Sequence, residues 1–190
     1  PPESPSDLRQ FMGMVTQLGK FSPNLTQISQ PLRELLGATK AWRWGQPQEE
    51  AFARIKVEIT QPAVLVYYDS AVDTKVSADA SSHGLGAVLL QLHNFSWNPV
   101  AFASRSRSET ELRYAQLEKE ALATTWACEK FKDYLIGKKF SIETDHKPLV
   151  PLLNSKYLDS LPPRILRFRL RLMRFDYTIS HVPGKLLYTA

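Results

Sequence analysis

Residues 74–104 read TKVSADASSHGLGAVLLQLHNFSWNPVAFAS, and the way this stretch breaks into short runs decides the fold class. Thr74–Ala80, Leu85–Leu92 and Pro99–Ser104 are strand-length segments separated by short polar or glycine-containing breaks, the pattern of an antiparallel meander. Downstream the period lengthens. Leu117, Ala121, Thr124, Cys128, Phe131 and Leu135 recur at three-to-four spacing and predict one long helix over 109–135, closed by Gly137. Lys139–Thr144 then reads as a fourth strand, Pro148–Leu153 as a short helix, Arg164–Arg174 as another, and Phe175–Val182 as a fifth strand. Strands first, then helix and strand in alternation, specify a mixed sheet with helices packed on it, an α/β fold.

Upstream of residue 62 the pattern is helical throughout. Ser4-Pro5-Ser6-Asp7 carries a capping residue, a first-turn proline and an acidic capping partner. Leu8, Phe11, Met12, Val15 and Leu18 follow as one apolar face, interrupted at Gly19 and Ser22-Pro23. A second helix is expected from about Thr26 to Leu36, stopped by Gly37. A third follows Pro47, with Phe52, Ile55 and Ile59 in register, and Pro62 ends it. The run Val64–Tyr68 is rich in strand formers, so the boundary between a helical segment, 1–62, and the sheet-forming part, 63–190, is placed here.

Composition narrows the classes. The chain has 190 residues, 43% hydrophobic and 23% charged, enough for one ordinary core or one core with a small appended unit. No apolar run approaches the roughly 18–20 residues of a membrane span, and no leader pattern opens the sequence. The expectation is a protein that stays inside a cell and has no membrane partner. One cysteine, Cys128, leaves neither a disulfide framework nor a cysteine-rich zinc site. The net charge is +5 and is unevenly spread. Arg164, Arg167, Arg169, Arg171, Arg174 and Lys185 crowd the last thirty residues against Asp176 alone, which permits a polyanionic partner.

Two carboxylates stand where chemistry can use them. Asp79 ends one strand in Val76-Ser77-Ala78-Asp79-Ala80-Ser81, and Asp145 ends another in Ile142-Glu143-Thr144-Asp145-His146. Strand-end carboxylates that converge repel one another unless a hard cation joins them, and oxygen ligands suit magnesium. Asp is also an ordinary turn residue, so each could merely start a turn. The long helix offers Glu118 and Glu120, two residues apart on different faces. Phase puts Glu120 near the apolar stripe and Glu118 beside Leu122 and Trp126, and periodicity does not choose between them. A solvated helix face is the bland reading of the pair.

These residues resemble a family. Ser77–Ser81, Gly84–Leu89, Ala101–Arg105, Tyr114, Glu118-Lys119-Glu120 with Leu122-Ala123, Phe131–Leu135 with Gly137, Thr144–Leu149, Arg164–Arg174 and Ile179–Lys185 follow one another as in the ribonuclease H domain of gypsy-type long-terminal-repeat retrotransposons. Leu8–Leu36, Trp44, Ala51-Phe52 and Pro62–Leu65 resemble the thumb and connecting segment of the polymerase, so the likeness covers nearly the whole chain. It implies a ribonuclease H-like mixed five-stranded sheet with flanking helices behind a small helical thumb/connection segment.

The activity it implies is endonucleolytic hydrolysis of the RNA strand of RNA/DNA hybrids during reverse transcription, within a retrotransposon polyprotein. Asp79, Glu120 and Asp145 would hold two Mg2+ ions, with Mn2+ as a substitute. One ion would prepare the attacking water and the other the leaving 3′-oxygen. Glu120 is preferred because the family's ligand directly precedes an apolar-x-small run; Glu118 is the second choice. Glu118 and His146 are candidates for supporting the ligands, His146 equally for capping or packing. The resemblance also implies polymerase domains of the same polyprotein as partners and a cytoplasmic place within virus-like particles.

The chain departs from the family pattern in two ways. Members carry a further Asp after the Pro-Gly-Lys element, and here Tyr188-Thr189-Ala190 ends where it would come next; the natural protein is expected to continue, and the fragment to be impaired. No histidine lies between Gly184 and Tyr188 to shuttle protons, and His181 reads as a structural histidine on the strand side. For the nucleic acid, Arg164, Arg167, Arg171 and Arg174 form one basic stripe that could meet phosphates or merely solubilise a helix whose Leu166, Leu170 and Met173 pack inward. Ser81, Ser82 and Gly84 are candidates for contacting 2′-hydroxyls, or are simply turn chemistry.

Two rivals remain. One is a catalytically inactive nucleic-acid-binding or scaffold module derived from a retroelement. The other is an integrase-like core, against which the order of the carboxylates argues, because integrase-type sites take the last from a later helix.

Overall fold

The structure, a computed structural model, describes residues 1–18, 25–37, 42–60, 65–81, 84–155, 157–184 and 187. Five strands form one sheet: β1 Thr74–Ala80, β2 Gly84–His93, β3 Ser96–Ser106, β4 Lys139–Thr144 and β5 Asp176–His181. Their order is β3-β2-β1-β4-β5, with β1, β2 and β3 antiparallel to one another in succession and β4 parallel to both β1 and β5. The expected mixed sheet is present with all five strands.

The meander forms for local reasons. Asn94 and Phe95 both adopt positive φ, 50° and 62°, so a two-residue turn joins β2 to β3 with a twist that suits the flanking strands. This lets β3 begin at Ser96, three residues before the predicted start. Leu89 faces Ala101 and Leu90 faces Pro99, which leaves Val100 as the extra residue of a bulge. A proline is tolerated there because β3 is an edge strand.

The predicted helix over 109–135 is three helices: α5 Glu109–Leu112, α6 Gln116–Lys130 and α7 Lys132–Leu135. Two caps break it. The Ser108 hydroxyl accepts from the Glu111 N–H, and the Glu111 carboxylate returns to the Ser108 N–H at 2.8 Å. Three residues after α5, the Glu118 carboxylate accepts from the Ala115 N–H at 3.0 Å and starts α6 afresh. The stripe itself is right: Ala121, Thr124, Cys128, Phe131 and Leu135 are all buried. Small side chains at Ala121, Ala123 and Ala127 let α6 lie close over β1, and the main core fills the space between the sheet, α6, α8 Leu149–Asn154 and α9 Pro163–Leu172.

The inward face of α9 differs from expectation. Ile165, Phe168 and Leu172 are buried, whereas Leu170 and Met173 are 50% and 57% exposed. The helix is rolled by its arginines. Arg164 bonds Glu118 at 2.6 Å, and Arg171 and Arg174 bond Glu129, so one flank is held against α6 and the opposite flank turns outward.

Among the described residues, the first third holds α1 Pro5–Leu18, α2 Leu25–Ile28, α3 Gln30–Glu34 and α4 Gln46–Thr60 around its own core of Leu8, Met12, Val15, Leu32, Ala51 and Ile55. The second predicted helix is split at Ser29. Pro31, lacking an N–H and crowding the carbonyl four residues back, cannot continue the turn before it. The Arg33 guanidinium donates to the Ser106 hydroxyl at 2.9 Å, joining this helical segment to the end of β3. The described part of the Val64–Tyr68 run forms no strand. It lies along the sheet, with the Val66 N–H on the Pro99 carbonyl at 2.9 Å and Leu65 packed near Val88, Leu90 and Phe102. Pro62 and the boundary beside it lie outside the described residues, as do Gly19 and Ser22-Pro23. No described helix is long and apolar enough to cross a membrane.

Candidate metal centre

Three carboxylates meet at one end of the sheet. The parallel pairing of β1 with β4 sets Ser77 against Glu143, so residues 79 and 145, each two steps further along, emerge side by side. Glu120, in the second turn of α6, comes down on them from the helix that crosses β1. One oxygen from each of Asp79, Glu120 and Asp145 lies within 4.8 Å of the others. The residue across the strand from Asp79 is Gly86, and a side chain there would point into open space, leaving the flank of the cluster clear.

The three differ in environment. Glu120 is 3% exposed, Asp79 is half-buried and Asp145 is exposed. Glu120 Oε1 accepts from the Gln116 side-chain amide at 2.5 Å, while Oε2 is buried with no hydrogen-bond partner among the described residues. Burial first, then the charges of Asp79 and Asp145, push the Glu120 carboxyl up to about 7; the Gln116 amide and the Ala80 backbone offset this only in part. Asp79 is raised by burial and then by Asp145. An all-oxygen donor set, mutual repulsion and one orphaned buried oxygen are what a hard divalent cation satisfies.

Other predicted residues take other places. Glu118 does not join the cluster: it caps α6 and pairs with Arg164. His146 is half-buried, and its main chain starts the turn into α8, the N–H on Thr144 Oγ1 at 3.2 Å and the carbonyl accepting from the Leu149 N–H. The Ser81 hydroxyl accepts from the Gly84 N–H at 3.2 Å and closes the β1–β2 turn; Ser82 lies outside the described residues. The arginine stripe is not a free row of cations. Arg164 also stacks on Tyr114, with 4.1 Å from guanidinium to ring centroid, and only Arg167 of the four has neither an ion pair nor a ring contact among the described residues. His181 ties the strand ends together as a structural residue would, its Nε2–H donating to the Asp145 carbonyl at 3.1 Å. The sequence reading missed Gln116, although its place one turn before Glu120 is a legible helix neighbour.

The sheet order, the crossing helix and the strand-end carboxylates define the class: a ribonuclease H-like fold carrying an acidic cluster. Residues 44–142 match the family described as RNase H-like domain found in reverse transcriptase, and the chain belongs to it. It is 34% identical over 185 residues to the retrovirus-related Pol polyprotein from transposon 297 of Drosophila melanogaster, covering 97% of this chain and 17% of that protein. It is also 34% identical over 188 residues to the transposon Tf2-3 polyprotein of Schizosaccharomyces pombe, covering 96% of this chain and 14% of the polyprotein. Among solved structures, the foamy viral protease-reverse transcriptase in complex with RNA/DNA hybrid superposes with a TM-score of 0.76 at 19% identity, over 97% of this chain and 25% of that one. The chain therefore spans about a sixth of the length of the curated polyproteins it matches. The resemblance to retrotransposon reverse transcriptases read from the sequence holds.

Proposed function

We propose that this chain hydrolyses the RNA strand of RNA/DNA hybrids with two divalent ions, residues 63–190 being the nuclease and 1–62 a thumb/connection segment of the polymerase. The observation that carries the reading is the meeting of Asp79, Glu120 and Asp145 within 4.8 Å. The fold shared with a foamy viral enzyme over nearly the whole chain supports the assignment of both parts. Magnesium, or manganese in its place, would be held by these three side chains; bound there it would acidify the attacking water and neutralise charge on the leaving 3′-oxygen.

The chain's own groups do the rest. Glu120, which keeps its proton to about pH 7, would have to lose it to hold the cation, so binding should be tighter at higher pH. Gln116 holds one Glu120 oxygen and leaves the other for the ligand. The open flank at Gly86 leaves room for a nucleic-acid backbone beside Asp79. Products would carry a 5′-phosphate and a 3′-hydroxyl. The working context would be the polymerase domains of the same polyprotein, in cytoplasmic virus-like particles.

The test is cleavage of a labelled RNA/DNA hybrid, by this chain and by the longer polyprotein, with and without Mg2+. Cleavage that requires Mg2+ and falls at least a hundredfold in Asp79→Asn and Glu120→Gln is expected. Cutting without metal, or hybrid bound but left intact by the longer protein, would overturn it in favour of a binding module.

A further inference from the structure

The three carboxylates are not equally anchored. Asp79 lies within the β1–β2 ladder and Glu120 is buried in α6, but Asp145 stands in a bend beyond the last residue of β4 and is exposed. It lies outside the β4 ladder, and no hydrogen bond to its carboxylate is made among the described residues.

What constrains Asp145 comes from the segment that leaves β5. β4 and β5 run parallel with Thr144 opposite His181, and the Val182 N–H closes on the Thr144 carbonyl at 2.9 Å. One residue on, the His181 ring reaches the Asp145 main-chain carbonyl, Nε2 to oxygen 3.1 Å. Gly184 then passes directly over the carboxylate. A Cβ on it would stand 3.2 Å from Asp145 Oδ2 and 3.8 Å from Asp145 Cβ, so the carboxylate would have to give way by a few tenths of an ångström. Beyond it, the Leu187 N–H bonds the Gly184 carbonyl at 3.0 Å, and Leu187 is buried, 4% exposed.

We infer that His181 and Gly184 are positioning residues for Asp145: the imidazole pins its backbone, and the absent side chain at 184 lets the carboxylate keep its place beside Asp79 and Glu120. The inference rests on the metal reading of the site. Close approach to the carboxylate, and not the backbone angle, is what disfavours a side chain at 184, since its φ is not in the left-handed region.

Manganese binding to the full chain is measured by titration calorimetry, beside thermal melts and carboxyl 13C spectra in EDTA. Gly184→Ala and His181→Ala are each expected to weaken Mn2+ binding about tenfold, as loss of a ligand's supporting contact does, with melting points near wild type. His181→Gln, which keeps a donor, should recover part of the loss. In an Asp145→Ala background Gly184→Ala should add nothing, because it acts through that side chain. In the EDTA spectra the Asp145 carboxyl signal should shift most in both variants, with smaller changes at Asp79 and Glu120 as its charge moves relative to them. Unchanged Mn2+ affinity in Gly184→Ala, or a loss that persists without Asp145, overturns the inference. Should wild type bind no Mn2+ at all, the metal reading falls, and an unmoved Asp145 signal separately sinks the contact.

Discussion

At the scale of single residues, the cluster trades stability for a binding site. An unfolded chain ionises Glu120 near its ordinary value of 4.5, whereas the folded, metal-free chain holds the proton to about 7. Between those values the unfolded state binds fewer protons, so the stability contribution is complete below about 4.5 and is lost as pH rises through 7. Asp79, raised for the same reasons, steepens the trend. Glu120→Gln is predicted to flatten this slope and to stabilise the metal-free protein at pH 8 by up to roughly 3 kcal/mol, read by thermal melts in EDTA from pH 4 to 8. With saturating Mg2+ the order should reverse, since only the wild type gains fully from ligand binding. A Gln variant less stable than wild type in EDTA at pH 8 would contradict the repulsion.

At the scale of elements, α9 shows how ion pairs choose between two apolar rows. The rows Ile165-Phe168-Leu172 and Leu166-Leu170-Met173 are both helical stripes, and hydrophobic spacing favours neither. Glu118 and Glu129 on α6 decide it by engaging Arg164, Arg171 and Arg174. The pairs are half-exposed and individually weak; the buried row supplies the energy. Leu172→Ala is accordingly predicted to destabilise by about 2–5 kcal/mol in urea unfolding, through the cavity it leaves. Leu170→Ala should cost less than about 0.5 kcal/mol. Equal effects would mean the helix is rolled the other way. The same lesson applies to α5, α6 and α7, where a continuous stripe concealed two capping carboxylates, Glu111 and Glu118, that restart the backbone.

At the scale of the molecule, Arg33 is a polar contact between the two cores. Arg33 sits half-buried with its charge partly desolvated, which lowers its pKa, and bridges Ser29 and Ser106 at 3.0 and 2.9 Å. Arg33→Ala is predicted to cost about 1–3 kcal/mol locally. In hydrogen exchange it should speed the amides of α2 and α3 while those of β1 and β2 hold their protection. A uniform rise across the sheet would show that the joint is not local.

Much of this was legible in the chain. The periods of 74–104, of 109–135 and of 139–144 determined strand, helix and strand, though not the breaks that divide the helical stretch in three, because a side chain's face follows from local backbone repeat alone. The order of Asp79, Glu120 and Asp145 along those elements already placed two at strand ends and one on the crossing helix. Periodicity left Glu118 and Glu120 open and the family likeness favoured Glu120, but only the tertiary structure brought Glu120 beside the two aspartates, turned α9, and brought Gly184 over Asp145. Those outcomes depend on contacts between segments tens of residues apart, such as the 36 separating Asp145 from His181. Such contacts are set by how the sheet orders its strands and how closely helices pack on it, and no local period encodes either.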